Sequence, residues 1–358
     1  GQDGADGQDG ADGQGSNSIP GTHTIGTKDF SYPYADLSDD GSTVVVSEQL
    51  VLGSLESNIF IYSIESNILN QVGQTINIPS TTVAQYQPTL NINGTKLHLQ
   101  NLFGGNNGTR KLYELINGTW ILQNTPPSGK ISDDFSTIIQ SSGNVYEFSP
   151  VDNQWLVTST IPGASGNDPV WDISSDNTVA LMQNYLVGVD IYQKNNNSWT
   201  QMGNTINYNA LVPNQPRGPI LSSDGQTIAF FEPNASTSFT HEIKTYSFDQ
   251  NDWVQKGSSI GTNSSVYQIS LDNEGETISY FGILSGSNNQ VNTYYLKMGV
   301  YTFQGSEWQQ NYLDYDNPPF FNGGSVGVPN IILRSGTFTY LKQFGVTQFY
   351  NLNIHIIN

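Results

Sequence analysis

The sequence predicts an all-β protein: a seven-bladed β-propeller with a short N-terminal collagen-like (Gly-X-Y) segment. Three observations carry that expectation. Glycine occupies every third position from Gly1 to Gly13, a Tyr-to-Trp hairpin marker recurs through the rest of the chain, and a second marker centred on Ser, Asp and Gly precedes each copy of the first. The composition agrees, with 19 Tyr and 16 Phe and no Ala- or Leu-rich stretch, a balance that suits pleated sheets.

The first fifteen residues read GQD, GAD, GQD, GAD, GQG before Ser16 breaks the register. Polyproline-II chains can wind into a triple helix only if the residue at the crowded axis lacks a side chain, so a strict period of three is the collagen signature. Asp3, Asp6, Asp9 and Asp12 would form an acidic collar in such a trimer, and five triplets are too few to hold three chains alone. Residues 1–15 are therefore expected to be the end of a longer stalk and 16–20 a linker. A chain whose first residue is not Met is expected to begin inside something longer or at a processing point.

Beyond residue 26 the chain repeats at intervals of about 40 to 60 residues, which calls for a solenoid or propeller reading. Tyr113/Trp120, Tyr192/Trp199, Tyr246/Trp253 and Tyr301/Trp308 share one spacing; Tyr146/Trp155 has two more residues in its turn, and Tyr62 is followed by Leu69 in place of Trp. Polar turn residues lie between each pair, as in Asn195-Asn196-Asn197-Ser198, and a glycine often closes the second strand, as in Trp199-Thr-Gln-Met-Gly203. Upstream of each Tyr stands the second marker, such as Leu37-Ser-Asp-Asp-Gly-Ser-Thr-Val44 and Leu221-Ser-Ser-Asp-Gly-Gln-Thr-Ile228. Asp and Gly supply the side-chain bond and left-handed backbone of a tight turn. Two hairpins make four strands per unit, and seven such units make a propeller. The seventh unit lacks an outer strand, and residues 21–26 are expected to supply it, so that the propeller occupies 21–358.

The marker pair resembles the WD40-like and FG-GAP-like propeller repeats over nearly the whole chain after residue 26. Joined to the acidic Gly-Gln-Asp/Gly-Ala-Asp stalk and the cysteine-free, Asn- and Ile-rich composition, it is similar to collagen-like fibre or surface proteins of giant, mimivirus-like viruses. That resemblance implies a glycosylated, extracellular or virion-surface component.

A net charge of −19 with 12 Lys+Arg argues against nucleic acid as a partner, and no run of about 20 apolar residues points to membrane insertion. Cysteine is absent, which removes thiol chemistry. His23, His98, His241 and His355 fall in different units with no metal-ligand spacing, so no metal site is expected. Asp272-Asn-Glu274-Gly275 and Asp314-Tyr-Asp316-Asn317 carry hard oxygens without the alternating spacing of a calcium loop. No cofactor is indicated. Gly257-Ser-Ser259-Ile-Gly261 matches a nucleophile-elbow string but lacks the strand-to-helix context. Arg110, Arg217 and Arg334 lie in separate units, unlike a sialidase cluster. The Trp series reads as packing. Trp171, outside the series, and Phe320 and Phe321 are the candidate binding aromatics. Asn93, Asn107, Asn117, Asn196, Asn234 and Asn263 are candidate N-glycosylation sites.

The expectation is thus a non-enzymatic adhesive fibre head, a homotrimer through its stalk, that attaches to a host glycan or surface protein or assembles with other coat proteins. The alternative is a glycan-active enzyme, a glycoside hydrolase or lyase on the propeller axis, for which no spacing nominates a pair of carboxylates.

Overall fold

A computed structural model describes residues 29–30, 34–38, 40–49, 56–65, 68–79, 86–101, 110–164, 170–184, 188–207, 217–234, 240–288, 291–315, 320–321, 338–344 and 350–357. Within these the fold is all β, without helices, and its strands form seven antiparallel sheets that follow one another along the chain. Sheet A comprises Tyr34–Leu37, Thr43–Gln49, Glu56–Glu65 and Ile68–Gln71, with Ile76–Pro79 added on the third strand. Sheet B comprises Tyr86–Leu90, Lys96–Asn101, Arg110–Ile116 and Thr119–Leu122; sheet C comprises Lys130–Ile131, Thr137–Ile139, Asn144–Ser149 and Gln154–Thr160. Sheet D holds Val170–Ile173, Val179–Asn184, Gly188–Asn195 and Ser198–Gln201 plus Ile206–Asn207, and sheet E holds Arg217–Leu221, Thr227–Pro233, His241–Asp249 and Asp252–Gln255 plus Ile260–Gly261. Sheet F holds Ser265–Leu271, Thr277–Asn288, Val291–Gln304 and Glu307–Tyr315 plus Phe320–Phe321; in sheet G, Asp29–Phe30 pairs with Tyr350–Ile357, which pairs with Phe338–Phe344.

Both sequence markers are hairpins. The Ser/Asp/Gly marker joins the first and second strands, and the Tyr-to-Trp marker joins the third and fourth. In the latter Asn117, Asn196 and Asn153 adopt the left-handed backbone that a tight turn requires and that Asn tolerates. In the former, the Ser222 hydroxyl donates to Asp224 Oδ1 (2.5 Å) and accepts from Thr227 N–H (2.9 Å), tying the two ends of the turn together. Ser38/Asp40, Ser132/Asp134 and Ser174/Asp176 repeat the pattern. Burial pushes the Asp134 carboxyl up, but hydrogen bonds from Ser132, Ser136 and Asn177 outweigh it and hold the group below the ordinary carboxylate value.

The core is distributed between sheets instead of gathered in one place. In sheet E the alternation of a strand sends Ile228 and Phe230 into a cluster with Val179, Leu181 and Ile191 of sheet D. The intervening Ala229 and Phe231 pack with Ile278 and Tyr280 of sheet F. Both faces are buried, so the second strands read as unbroken apolar runs such as Val44-Val45-Val46. The first strands of sheets A and B, of C and D, of D and E, and of E and F lie against each other, so they form the inner wall, and the third-to-fourth hairpins form the rim.

The Trp series belongs to these seams. Trp120 Nε1 donates to Val72 O of sheet A (2.9 Å), Trp253 Nε1 to Met202 O of sheet D (2.7 Å), and Trp308 Nε1 to Lys256 O of sheet E (2.9 Å). Each indole also lies on the glycine that closes the preceding sheet's outer strand. A Cβ on Gly203 would stand 2.9 Å from Trp253 Cδ1, and one on Gly73 would stand 2.8 Å from Trp120 Cδ1. This contact explains the Trp-x-x-x-Gly spacing in the sequence.

Gly203 and Gly118 have nearly the same left-handed φ, +73° and +76°, but a Cβ on Gly118 meets nothing within 4 Å. Comparing Gly203→Ala with Gly118→Ala in urea unfolding therefore separates the seam contact, made by the Trp253 indole and by Asp252, from the backbone cost. We expect Gly118→Ala to cost about 1 kcal/mol and Gly203→Ala about 1–3 kcal/mol more; equal losses would show that the Trp–Gly contact is not tight.

Candidate functional site

The inner wall carries one residue per sheet at the position just before the Ser/Asp/Gly marker: Asp36, Thr89, Lys130, Asp172, Ile220 and Ser270 in sheets A to F. Three of these are charged, and each reaches the next sheet's first strand or its partner on it. Asp36, 6 % exposed, accepts the Leu90 N–H of sheet B through Oδ2 at 2.7 Å. Asp172 accepts the Leu221 N–H of sheet E through Oδ2 (3.0 Å) and its neighbour Ile173 N–H through Oδ1 (3.1 Å). Lys130 Nζ stands 3.1 Å from the same Oδ1, and about a third of the Lys130 side chain remains exposed. Asp172 is thus fixed from two backbones and holds the ammonium group on the innermost strand. An ammonium held by an oriented carboxylate is a preformed electrophile, able to bind a carbonyl or carboxylate oxygen.

Beside this pair the inner strands are irregular. In sheet D, Val170 pairs with Met182 and Asp172 with Leu181, so Trp171 is the extra residue of a β-bulge. The same irregularity recurs in sheet E between Arg217 and Ile220, and in sheet F between Val266 and Gln268. Bulges re-aim a strand where regular pairing would constrain it. Trp171 therefore neighbours the Lys130–Asp172 pair along the chain, whereas Phe320 and Phe321 form a short strand on Tyr294 and Thr293 at the edge of sheet F. The predicted binding aromatics belong to different sheets.

Of the other residues singled out, Asp272 caps its own hairpin, accepting Glu276 N–H at 2.7 Å, and 316–319 lie outside the described residues. Among the described residues no group of three or more His, Asp or Glu could hold a metal ion. Ser258, in the elbow-like string, donates its N–H to Glu307 Oε2 of sheet F (3.0 Å). Asn93, Asn117, Asn196 and Asn263 are exposed in turns; Asn107 lies outside the described residues, as do 1–28 with the collagen-like triplets and the strand expected at 21–26. His241 Nδ1 accepts the Val266 N–H at 2.7 Å, which places its proton on Nε2.

His98 behaves differently. It lies buried on the face of sheet B turned toward sheet C, edge-on to Phe135 at 6.4 Å. Burial and, second, the Arg110 charge lower its pKa to about 4.

The sequence missed Lys130, Asp172 and Asp36. The signal was present: a charged residue directly before a marker whose other members are structural.

The arrangement is β-propeller-like, and comparison with solved structures agrees. The chain is similar to a periplasmic gluconolactonase of Pseudomonas aeruginosa, with a TM-score of 0.51 and 14% identity, covering 80% of this chain and 86% of that one. It is likewise similar to a Bacteroides fragilis protein provisionally assigned as a 6-phosphogluconolactonase, with a TM-score of 0.50 and 12% identity over 79% of this chain and 86% of that one. No family model and no curated protein matches the sequence. These likenesses correct two expectations. The adhesive fibre head and the absence of enzymatic activity are both overturned by these two likenesses, to a gluconolactonase and to a chain provisionally assigned as a 6-phosphogluconolactonase, and the expected alternative of an enzyme on the propeller axis stands closer. The physical reason for the error is that an inner-wall site takes single residues from separate sheets, so it leaves no local motif.

Because buried His98 stays neutral to about pH 4 while the unfolded chain protonates near 6.5, the unfolded state takes up the extra proton, and stability present above pH 6.5 is lost as the pH falls toward 4. His98 alone accounts for about 3 kcal/mol at most over that window. Urea midpoints measured from pH 7 to 4.5 should fall, and fall less in His98→Leu; parallel curves for the two proteins would refute a buried neutral imidazole.

Proposed function

We propose that this chain is a hydrolase of sugar-derived lactones, acting on the inner wall of the propeller at the Lys130–Asp172 pair. The observation that carries the reading is the coincidence of a lactonase-like fold with an oriented ammonium on the innermost strand. In lactone hydrolysis a water oxygen bonds to the carbonyl carbon, negative charge gathers on the carbonyl oxygen, and the ring C–O bond then breaks, its oxygen leaving as a hydroxyl. Aldonolactones open in water unaided, so electrostatic stabilisation of the oxyanion is the main contribution required. Lys130 supplies it, and Asp172 positions Lys130. Trp171, one residue from Asp172, contributes to substrate contact. The glycan-active alternative would require a second carboxylate opposite Asp172 across a pocket, and Asp36, on the inner strand of sheet A, is already engaged by a backbone N–H.

The same reading takes the seven sheets as seven blades, closed where Asp29–Phe30 joins the last sheet. The triplets of residues 1–15 are read as a collagen-type segment that gathers three chains, and sedimentation of the intact chain is expected to give a trimer; a monomer would remove this part of the reading alone.

The activity is tested by following acid release from gluconolactone and its 6-phosphate in a pH-stat, with p-nitrophenyl glycosides in parallel. Lactone opening above the spontaneous rate is expected, with Lys130→Met at least about tenfold slower, equivalent to about 1.4 kcal/mol of barrier. A wild-type rate equal to background, or turnover of glycosides instead, would overturn the lactonase assignment.

A further inference from the structure

The seam between sheets B and C departs from the others in three ways. In sheets A, D, E and F a short fifth strand covers the beginning of the third strand, pairing for example with Glu56–Ile59 and with Glu242 and Ile243. In sheet C the outer strand runs along the whole third strand. Sheet B has neither: Thr119–Leu122 pairs only with Tyr113–Ile116, so among the described residues no strand covers Arg110 and Lys111.

Secondly, the seam holds polar groups without partners. Trp155 Nε1 is buried and makes no hydrogen bond, whereas its counterparts Trp120, Trp253 and Trp308 each reach the preceding sheet. Arg110 Nε is also buried without a partner. A buried donor left unmade costs about 1–3 kcal/mol, and more on a charged group, which is why such groups call for a bound species.

Thirdly, among the described residues no ion pair balances the charge. Arg110 pairs in register with Gln100, and His98 with Leu112. By strand alternation Arg110, Leu112, Gln100 and His98 therefore share one face, the face on which Leu112 packs with Phe135 and Ile138 of sheet C. The titratable group that senses Arg110 there is His98, a base and not a carboxylate. The five ion pairs among the described residues engage Lys130, Lys194, Lys244 and Lys256, and none involves Arg110. A half-buried guanidinium whose Nε–H has no partner, and which no acid pairs with among the described residues, is a receptor for a planar or tetrahedral oxyanion.

We propose that Arg110, at the uncovered start of the third strand of sheet B, forms an oxyanion site in the seam with sheet C that takes the phosphate or carboxylate of a small molecule. The site is separate from the inner-wall Lys130–Asp172 pair and does not depend on the lactonase reading. An anion bound to Arg110 cancels the positive charge that disfavours protonation of His98. Binding therefore reports itself on a second residue.

The test is NMR of the intact chain with its four histidines and three arginines, titrated with millimolar inorganic phosphate, gluconate or 6-phosphogluconate. The expected result is a shift of the Arg110 Nε–H resonance and a rise in the His98 pKa. The three probes separate phosphate from carboxylate recognition: phosphate and 6-phosphogluconate acting alike favours phosphate, and gluconate acting alone favours carboxylate. Arg110→Gln should weaken the preferred anion at least tenfold, whereas Lys111→Gln should leave it within about twofold, near the measurement's limit of about 0.4 kcal/mol. Thermal melts guard against misfolding: without anion Arg110→Gln should be no less stable than wild type, and the anion should raise the melting temperature of wild type only. If no probe moves the Arg110 or His98 resonances, or if Arg110→Gln is itself destabilised without anion, Arg110 is a structural residue and the site does not exist.

Discussion

Sheets A to F are apolar on both faces, and neither face is dry until a neighbouring sheet is in place. That constraint governs the rest. Ile228 and Phe230 cannot be buried without sheet D, and Ala229 and Phe231 cannot be buried without sheet F. Stability is therefore a property of seams, as in repeat proteins where each unit adds an interface. Indole donors, marker turns and lysines serve as the polar fasteners of those seams. Lys256, for example, bonds Gly275 O at 2.7 Å and Glu276 Oε1 at 2.9 Å while lying over the Phe303 ring.

The proposed site lies where this regular construction is interrupted. The marker turns repeat one solution, down to the Ser–Asp–Thr hydrogen bonds, and so leave little freedom. The residue before each marker is under no such demand, and it varies from Asp to Thr, Lys, Ile and Ser around the inner wall. Lys130 and Asp172 occupy two of those free positions. Three consecutive inner strands bulge beside them, which is how a strand opens backbone and side chains to a ligand without losing its sheet.

The sequence made the sheets legible because their turns are chemically specific. Asp, Gly and Asn at left-handed positions, and Trp-x-x-x-Gly across a seam, are local patterns with one structural meaning. The two hairpins per unit follow from them directly. The inner wall was not legible for the opposite reason: Lys130 and Asp172 stand a whole repeat apart and Asp36 two repeats before Lys130, and only the packing of first strands brings Lys130 and Asp172 together. Trp171 stands outside the Trp series because that series lies on fourth strands and Trp171 is on a first strand, as the extra residue of its bulge. In sequence Arg110 is one of three scattered arginines, and what sets it apart among the described residues, a strand start that no other strand covers and no acid in an ion pair with it, exists only in three dimensions. A site that draws single residues from separate sheets can carry chemistry without leaving a sequence motif.

The pairing of Asp29 with Asn351 and of Phe30 with Tyr350 joins the two ends of the described chain. During synthesis these partners emerge at nearly opposite times. The early strand must wait for almost every other sheet to be made before its own partner exists, while sheets A to F can assemble against their neighbours as they appear. The array thus passes through a stage with an unsealed edge whose lifetime is set by translation, and the slowest contact in its folding is the one with the greatest chain separation. Chaperone dependence and vulnerability to nascent-chain aggregation should therefore concentrate at that last seam, and not in the repeated hairpins that make up most of the molecule.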